Sequence, residues 1–126
     1  MRKLLMTLAL ISAPALADPA PVASPAPTST EIVTVVAVPI PAGLTNQRLA
    51  AGMHASVPQY QAIPGLIRKY FTIGDDVFGG VYLWRDRAAA QAWFNTAWHD
   101  RVIKTYGKDG VITYYLATDV MEGRNP

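Results

Sequence analysis

His54 and His99 are the only side chains in this sequence that ordinarily titrate near neutral pH. His99 is the better base candidate, because it follows Trp93, Phe94 and Trp98 at the end of an aromatic helical stretch. Asp100 is its neighbour, but on a helix it points about 100° away and is no ready orienting partner. An exposed imidazole that favours the helix dipole gives the same pattern, and this alternative is stronger still for His54. Lys69 sits among bulky apolar residues of a strand-like run. A partly buried ammonium there would hold a phenolate or another anion, although a lysine snorkelling from a sheet edge reads identically. Arg68 and Tyr70 share one face of that strand, and Tyr82 and Trp84 share one face of the next, because each pair is spaced by two. With Trp98 they form either an aromatic pocket wall or part of the core or a subunit interface.

What is missing narrows the chemistry. The chain has no cysteine, which removes disulfides, thiolate nucleophiles, iron–sulfur clusters and the lipidated cysteine of a bacterial lipoprotein. The two histidines are 45 residues apart, with no HxxxH or HxxE spacing, so a histidine–carboxylate metal site has no support. GxGxxG, GxxxxGK and GxSxG are absent, and Gly107-Lys108-Asp109-Gly110 reads as a turn. The formal charge of +2 comes from Arg2 and Lys3; the rest carries 9 basic and 9 acidic residues. Nucleic-acid binding, which needs a basic face, is not expected.

The elements that must position the candidates lie between Glu31 and Glu122. All twelve aromatic residues fall between Tyr60 and Tyr115, which puts the core there. Ile32–Ile40 reads as a β-branched strand. Leu44–Ser56 reads as a helix capped at Thr45 or Asn46, with Leu49 and Met53 on its apolar stripe. Pro64-Gly65 turns the chain into a second strand, Leu66–Ile73. Gly74-Asp75-Asp76 supplies a hairpin, and Gly79-Gly80 begins or kinks a third strand over Val81–Arg85. Asp86 caps a helix over Arg87–Trp98, striped by Ala90, Trp93, Phe94, Ala97 and Trp98. His99–Tyr106 continues it as a bent or second helix ended by Gly107, and Val111–Val120 is the last strand. The order β-α-β-β-α-β predicts an α+β, ferredoxin-like βαββαβ sandwich with an antiparallel sheet. The first, third and fourth strands are apolar on both faces, yet two helices cover only one face of a four-stranded sheet. A sheet-to-sheet homodimer is therefore expected, the alternative being a monomer with an apolar open face.

Residues 1–17 read as a secretory signal peptide: Arg2 and Lys3, the apolar run Leu4–Ile11, and the small-x-small ending Ala15-Leu16-Ala17. The apolar run is far short of the roughly 20 residues that span a bilayer, so no membrane insertion is expected after cleavage. Residues 18–30 hold four of the ten prolines and read as an extended linker. The domain follows over 31–122, with a short tail at 123–126. The mature protein is expected in the periplasm or outside the cell.

Pro64-Gly65-Leu66-Ile67-Arg68-Lys69 and Gly79-Gly80-Val81-Tyr82-Leu83-Trp84, followed by the alanine-rich helix and a closing strand, carry a family resemblance. The stretch from Pro64 to Glu122 resembles the YdhR-type group of monooxygenase-like proteins. That group belongs to the superfamily of dimeric α+β barrels that includes the antibiotic-biosynthesis monooxygenases, and Lys69 matches its motif lysine. The resemblance implies a ferredoxin-like protomer, a homodimer forming a dimeric α+β barrel, and an apolar pocket between sheet and helices. It also implies oxidation of phenolic or quinol-like molecules by O₂ without metal or flavin, so no cofactor is expected. The expectation is thus an exported, cofactor-independent monooxygenase for a small aromatic or quinol-like substrate. His99 and Lys69 would act on the substrate, and Arg68, Tyr70, Tyr82, Trp84 and Trp98 would bind it. The alternative is a non-catalytic dimeric module that binds a small hydrophobic molecule.

Overall fold

The computed structural model describes residues 29–125. The expected signal peptide and linker residues 18–28 lie outside the described residues. Ser29 and Thr30 already touch the domain: Ser29 Oγ accepts from the Glu31 amide at 3.2 Å, and the Thr30 hydroxyl donates to the Arg85 carbonyl at 3.1 Å. The elements are β1 (Ile32–Pro39), α1 (Asn46–Gln61), β2 (Leu66–Ile73), β3 (Val77–Trp84), α2 (Arg87–Trp93), α3 (Thr96–Tyr106) and β4 (Val111–Leu116). The strands form one antiparallel sheet in the order β2-β3-β1-β4. This is the α+β, ferredoxin-like arrangement expected from the element order.

Several boundaries differ from expectation, and two of the differences matter for the site. Helix α1 does not stop at Ser56 but runs on through Pro58 to Gln61. Proline removes one helical N–H, yet the stripe Leu49, Met53, Ser56 and Tyr60 continues past it, and Tyr60 packs against the core. The helix expected over Arg87–Trp98 breaks at Phe94, whose ψ is 56°. Asn95 caps a new helix there, accepting from the Trp98 amide at 3.0 Å, so that Phe94 and Trp98 are both buried. Strand β3 begins at Val77, so Gly79 and Gly80 lie inside it, and β4 ends at Leu116. Gly107 closes α3 in the left-handed conformation at φ 84°.

The pairing register sorts every strand residue onto a face. Lys69, Tyr82, Thr34 and Tyr114 form one cross-strand row toward the helices. Tyr70, Val81, Val35 and Thr113 form the next row, on the opposite face. On the helix side Trp84 is wholly buried and donates through Nε1 to the equally buried Thr34 hydroxyl at 2.9 Å. Thr34→Val would leave that indole N–H without a partner. It should lower unfolding stability by about 1–3 kcal/mol in urea titrations, with the fold retained.

The other face of the sheet carries no helix. Val35, Tyr70, Val77, Val111 and Tyr115 stand exposed on it. Among the described residues, no helix is long and apolar enough to cross a membrane.

Candidate functional site

A cavity of about 330 Å³ lies between α1, α3 and the helix-side face of the sheet. Its walls are mostly apolar, from Leu49, Met53, Phe71, Phe78, Trp98 and Val102. Its ionisable members are Arg48, Tyr60, Lys69, Tyr82 and Tyr106, with no aspartate, glutamate or histidine. Lys69 reaches it because the β2 register turns this residue, and not its neighbours Arg68 and Tyr70, toward the helices.

The Lys69 ammonium sits among three aromatic faces. Nζ lies 3.3 Å from the ring centre of Tyr60, 3.9 Å from Phe71 and 4.5 Å from Tyr82. Ring faces attract a cation, by about 0.5–2 kcal/mol at such distances. Burial opposes the charge more strongly and pulls the amine down from 10.5 to about 7. Among the described residues no carboxylate pairs with it. Lys69 therefore holds both protonation states in useful amounts near neutral pH.

Gly80 makes the arrangement fit. A methyl group on its Cα would lie 2.8 Å from Lys69 Cε, 2.8 Å from the Tyr70 carbonyl oxygen and 3.1 Å from the Tyr82 ring. The lysine stem thus crosses the sheet surface where β3 carries no side chain.

Tyr60 and Tyr82 are the polar groups beside the amine. Burial is the largest cause raising both phenols above their ordinary 10.0, and the neighbouring Tyr60 hydroxyl adds to the effect at Tyr82. Both stay protonated at neutral pH; the Tyr82 hydroxyl is directed to Tyr60, which leaves the Tyr60 O–H to donate to an anion.

The residues singled out in the sequence separate into three groups. Lys69, Tyr82 and Trp98 line the cavity. Trp84 shares the helix-side face with Tyr82 and stacks on it at 5.7 Å, but it is sealed in the core and its N–H is used by Thr34. Arg68 and Tyr70 lie on the open face, where the Arg68 guanidinium donates to the Tyr70 hydroxyl and pairs with Glu122, each at 3.3 Å. They cannot share a pocket with Tyr82, because one residue of offset in a strand changes the face.

His99 does not line the cavity. Its Nδ1 lies 2.6 Å from Asp109 Oδ1, and the same oxygen accepts from the Gly110 amide at 2.8 Å. That contact ties α3 to the turn before β4, and the histidine hydrogen bond holds the Asp109 carboxyl below its ordinary range. His54 is exposed on α1. Tyr60 was not foreseen, although its place in the stripe from Leu49 marked it as inward-facing. Among the described residues, no group of three or more His, Cys, Asp or Glu side chains is placed to hold a metal ion.

With this geometry in hand, comparison with solved structures places the fold. The chain is similar to a protein of unknown function from Nitrosomonas europaea, with a TM-score of 0.60 and 19% identity over 77% of this chain and 98% of that one. It is also similar to SnoaB, a cofactor-independent oxygenase from Streptomyces nogalater, with a TM-score of 0.51 and 13% identity over 75% of this chain and 99% of that one. A heme-degrading protein from Mycobacterium tuberculosis gives a TM-score of 0.48 and 16% identity over 74% and 97%. No protein-family model matches the chain, and comparison with curated proteins gives no match. These likenesses agree with the α+β, ferredoxin-like fold described above.

Proposed function

We propose that the cavity performs cofactor-independent monooxygenation of a small aromatic or quinol-like molecule, and that Lys69 is its base. The observation that carries this reading is a buried lysine amine without a carboxylate partner among the described residues, held by three aromatic faces inside an apolar cavity, where burial lowers it to about 7. The oxygenase SnoaB, which shares the fold, and the YdhR-type motif around Lys69 favour the same reading.

The chemistry asks little of the protein. Neutral Lys69 takes a proton from an activated carbon or phenol of the substrate. The resulting ammonium stays over its rings and faces the anion, which the Tyr60 hydroxyl also stabilises. The electron-rich carbon passes electrons to O₂ and forms a C–O bond, giving a peroxide that Lys69 protonates. Loss of the C–H proton and cleavage of the O–O bond then leave a carbonyl and release water. One oxygen atom enters the product and the other leaves as water, with the substrate as the sole reductant.

The working form on this reading is an exported homodimer whose protomers meet through the open sheet face, burying Val35, Val81 and Tyr115. Light scattering should give a mass of two mature protomers, and Val35→Lys or Tyr115→Lys should shift it to one.

The direct test is oxygen uptake with anthrones, quinols and catechols in chelator-treated buffer. Uptake with product carrying one added oxygen supports the oxygenase. No uptake across the panel would overturn it and leave a ligand-binding module. In the same assay His99→Gln should leave uptake unchanged, because His99 holds a turn and does not reach the cavity.

A further inference from the structure

The charges around the cavity all have one sign. Lys69 and Arg48 line the main cavity, and an adjoining recess that shares Tyr60 and Trp98 with it adds Arg101. No acidic side chain lines either space. The ion pairs among the described residues are Arg68–Glu122, Arg85–Asp86 and His99–Asp109, so none of the three cavity residues is paired with a carboxylate there. The chain as a whole balances its charges, with 9 basic and 9 acidic residues once Arg2 and Lys3 are set aside. Cations without acids in one cavity therefore form a local arrangement, one that attracts an organic anion.

The two cations of the main cavity are associated with opposite ends of α1. Arg48 lies in the first turn of α1, while Tyr60, whose ring faces the Lys69 amine, lies in the last. Twelve residues of helix separate them, about 18 Å at 1.5 Å per residue. Both side chains line the cavity, where Leu49, Met53 and Phe71 supply an apolar wall. Arg48 both lines the cavity and is exposed to solvent. A guanidinium there offers a planar pair of donors matched to a carboxylate.

Resting on the reading of this cavity as an aromatic-substrate site, we propose that its substrate is an elongated aromatic acid. The carboxylate lies against Arg48 and the hydroxyl-bearing ring against Lys69. Arg48 is then the residue that selects the acid over neutral analogues. Arg101 serves the neighbouring recess and does not select.

The test is calorimetric binding of 6-hydroxy-2-naphthoate and of its neutral amide to the mature protein in oxygen-free buffer near pH 7. The acid should bind at least about tenfold more tightly, and added salt should reduce that preference. Arg48→Gln should abolish the preference, Arg48→Lys should keep most of it, and Arg101→Gln should leave it intact. Equal binding of acid and amide, a preference that survives Arg48→Gln, or no binding of either compound would overturn the proposal. Because O₂ is excluded, a failure of the oxygenase reading leaves this result standing, whereas turnover of neutral aromatics alone would sink only this inference.

Discussion

Replacing Lys69 with methionine is expected to lower oxygen uptake at least about 10²-fold, the usual contribution of a positioned proton acceptor, while leaving the protein folded. Methionine keeps the length and apolar stem of lysine but has no basic nitrogen. The three ring faces around Nζ would pack against its thioether instead. Lys69→Arg separates the two parts of the role. Arginine keeps a cation near the cavity but cannot be deprotonated at any working pH. If Lys69 acts as a base, the arginine variant should be as inactive as the methionine variant. If the ammonium only holds an anion, arginine should restore much of the rate. Full uptake in both variants would remove Lys69 from the chemistry.

The second large effect is on stability. Burial lowers the folded-state pKa of Lys69 from 10.5 to about 7. Below pH 7 the amine is charged in both states, and the folded protein carries the full cost of a buried ammonium. Between pH 7 and 10.5 the unfolded chain binds the proton more tightly, so stability rises with pH; above that window the cost is gone. The total is on the order of 5 kcal/mol, reduced by whatever the ring faces return. Lys69→Met carries none of this cost. It should exceed the wild type in stability at pH 6, and the gap should close steadily toward pH 10. Tyr60 and Tyr82, with raised phenol pKa values, act with the opposite sign only above pH 10. Urea unfolding of both proteins from pH 6 to 9.5 measures the gap, and a gap that stays constant would show that Lys69 titrates normally.

The fold was legible because its signals are local. Asp86 caps a helix, Gly107 ends one, and the β2 bounds follow from Pro64-Gly65 and Gly74. The site was legible only in part, because its residues meet through register and helix length. Lys69 and Tyr82 were identified separately, but their pairing depends on the hairpin register and on the irregularity between Leu66 and Arg68. That register sends Arg68 and Tyr70 to the opposite face. Tyr60 was hidden behind Pro58, which reads as a stop signal although the apolar stripe continues across it. His99 looked like a base because of its aromatic neighbours. The Asn95 cap restarts the helix and turns the imidazole toward Asp109, which lies ten residues away across a turn.

The most direct measurement is transfer of heavy-oxygen-labelled O₂ into product, using anthrone as substrate, chelator-treated wild-type protein and Lys69→Met. The expected result is one labelled oxygen atom in each product molecule with wild type, labelled water as the other product, and loss of both with the variant. Unlabelled product, or equal labelling by the variant, would contradict the assignment of oxygenation to the Lys69 cavity.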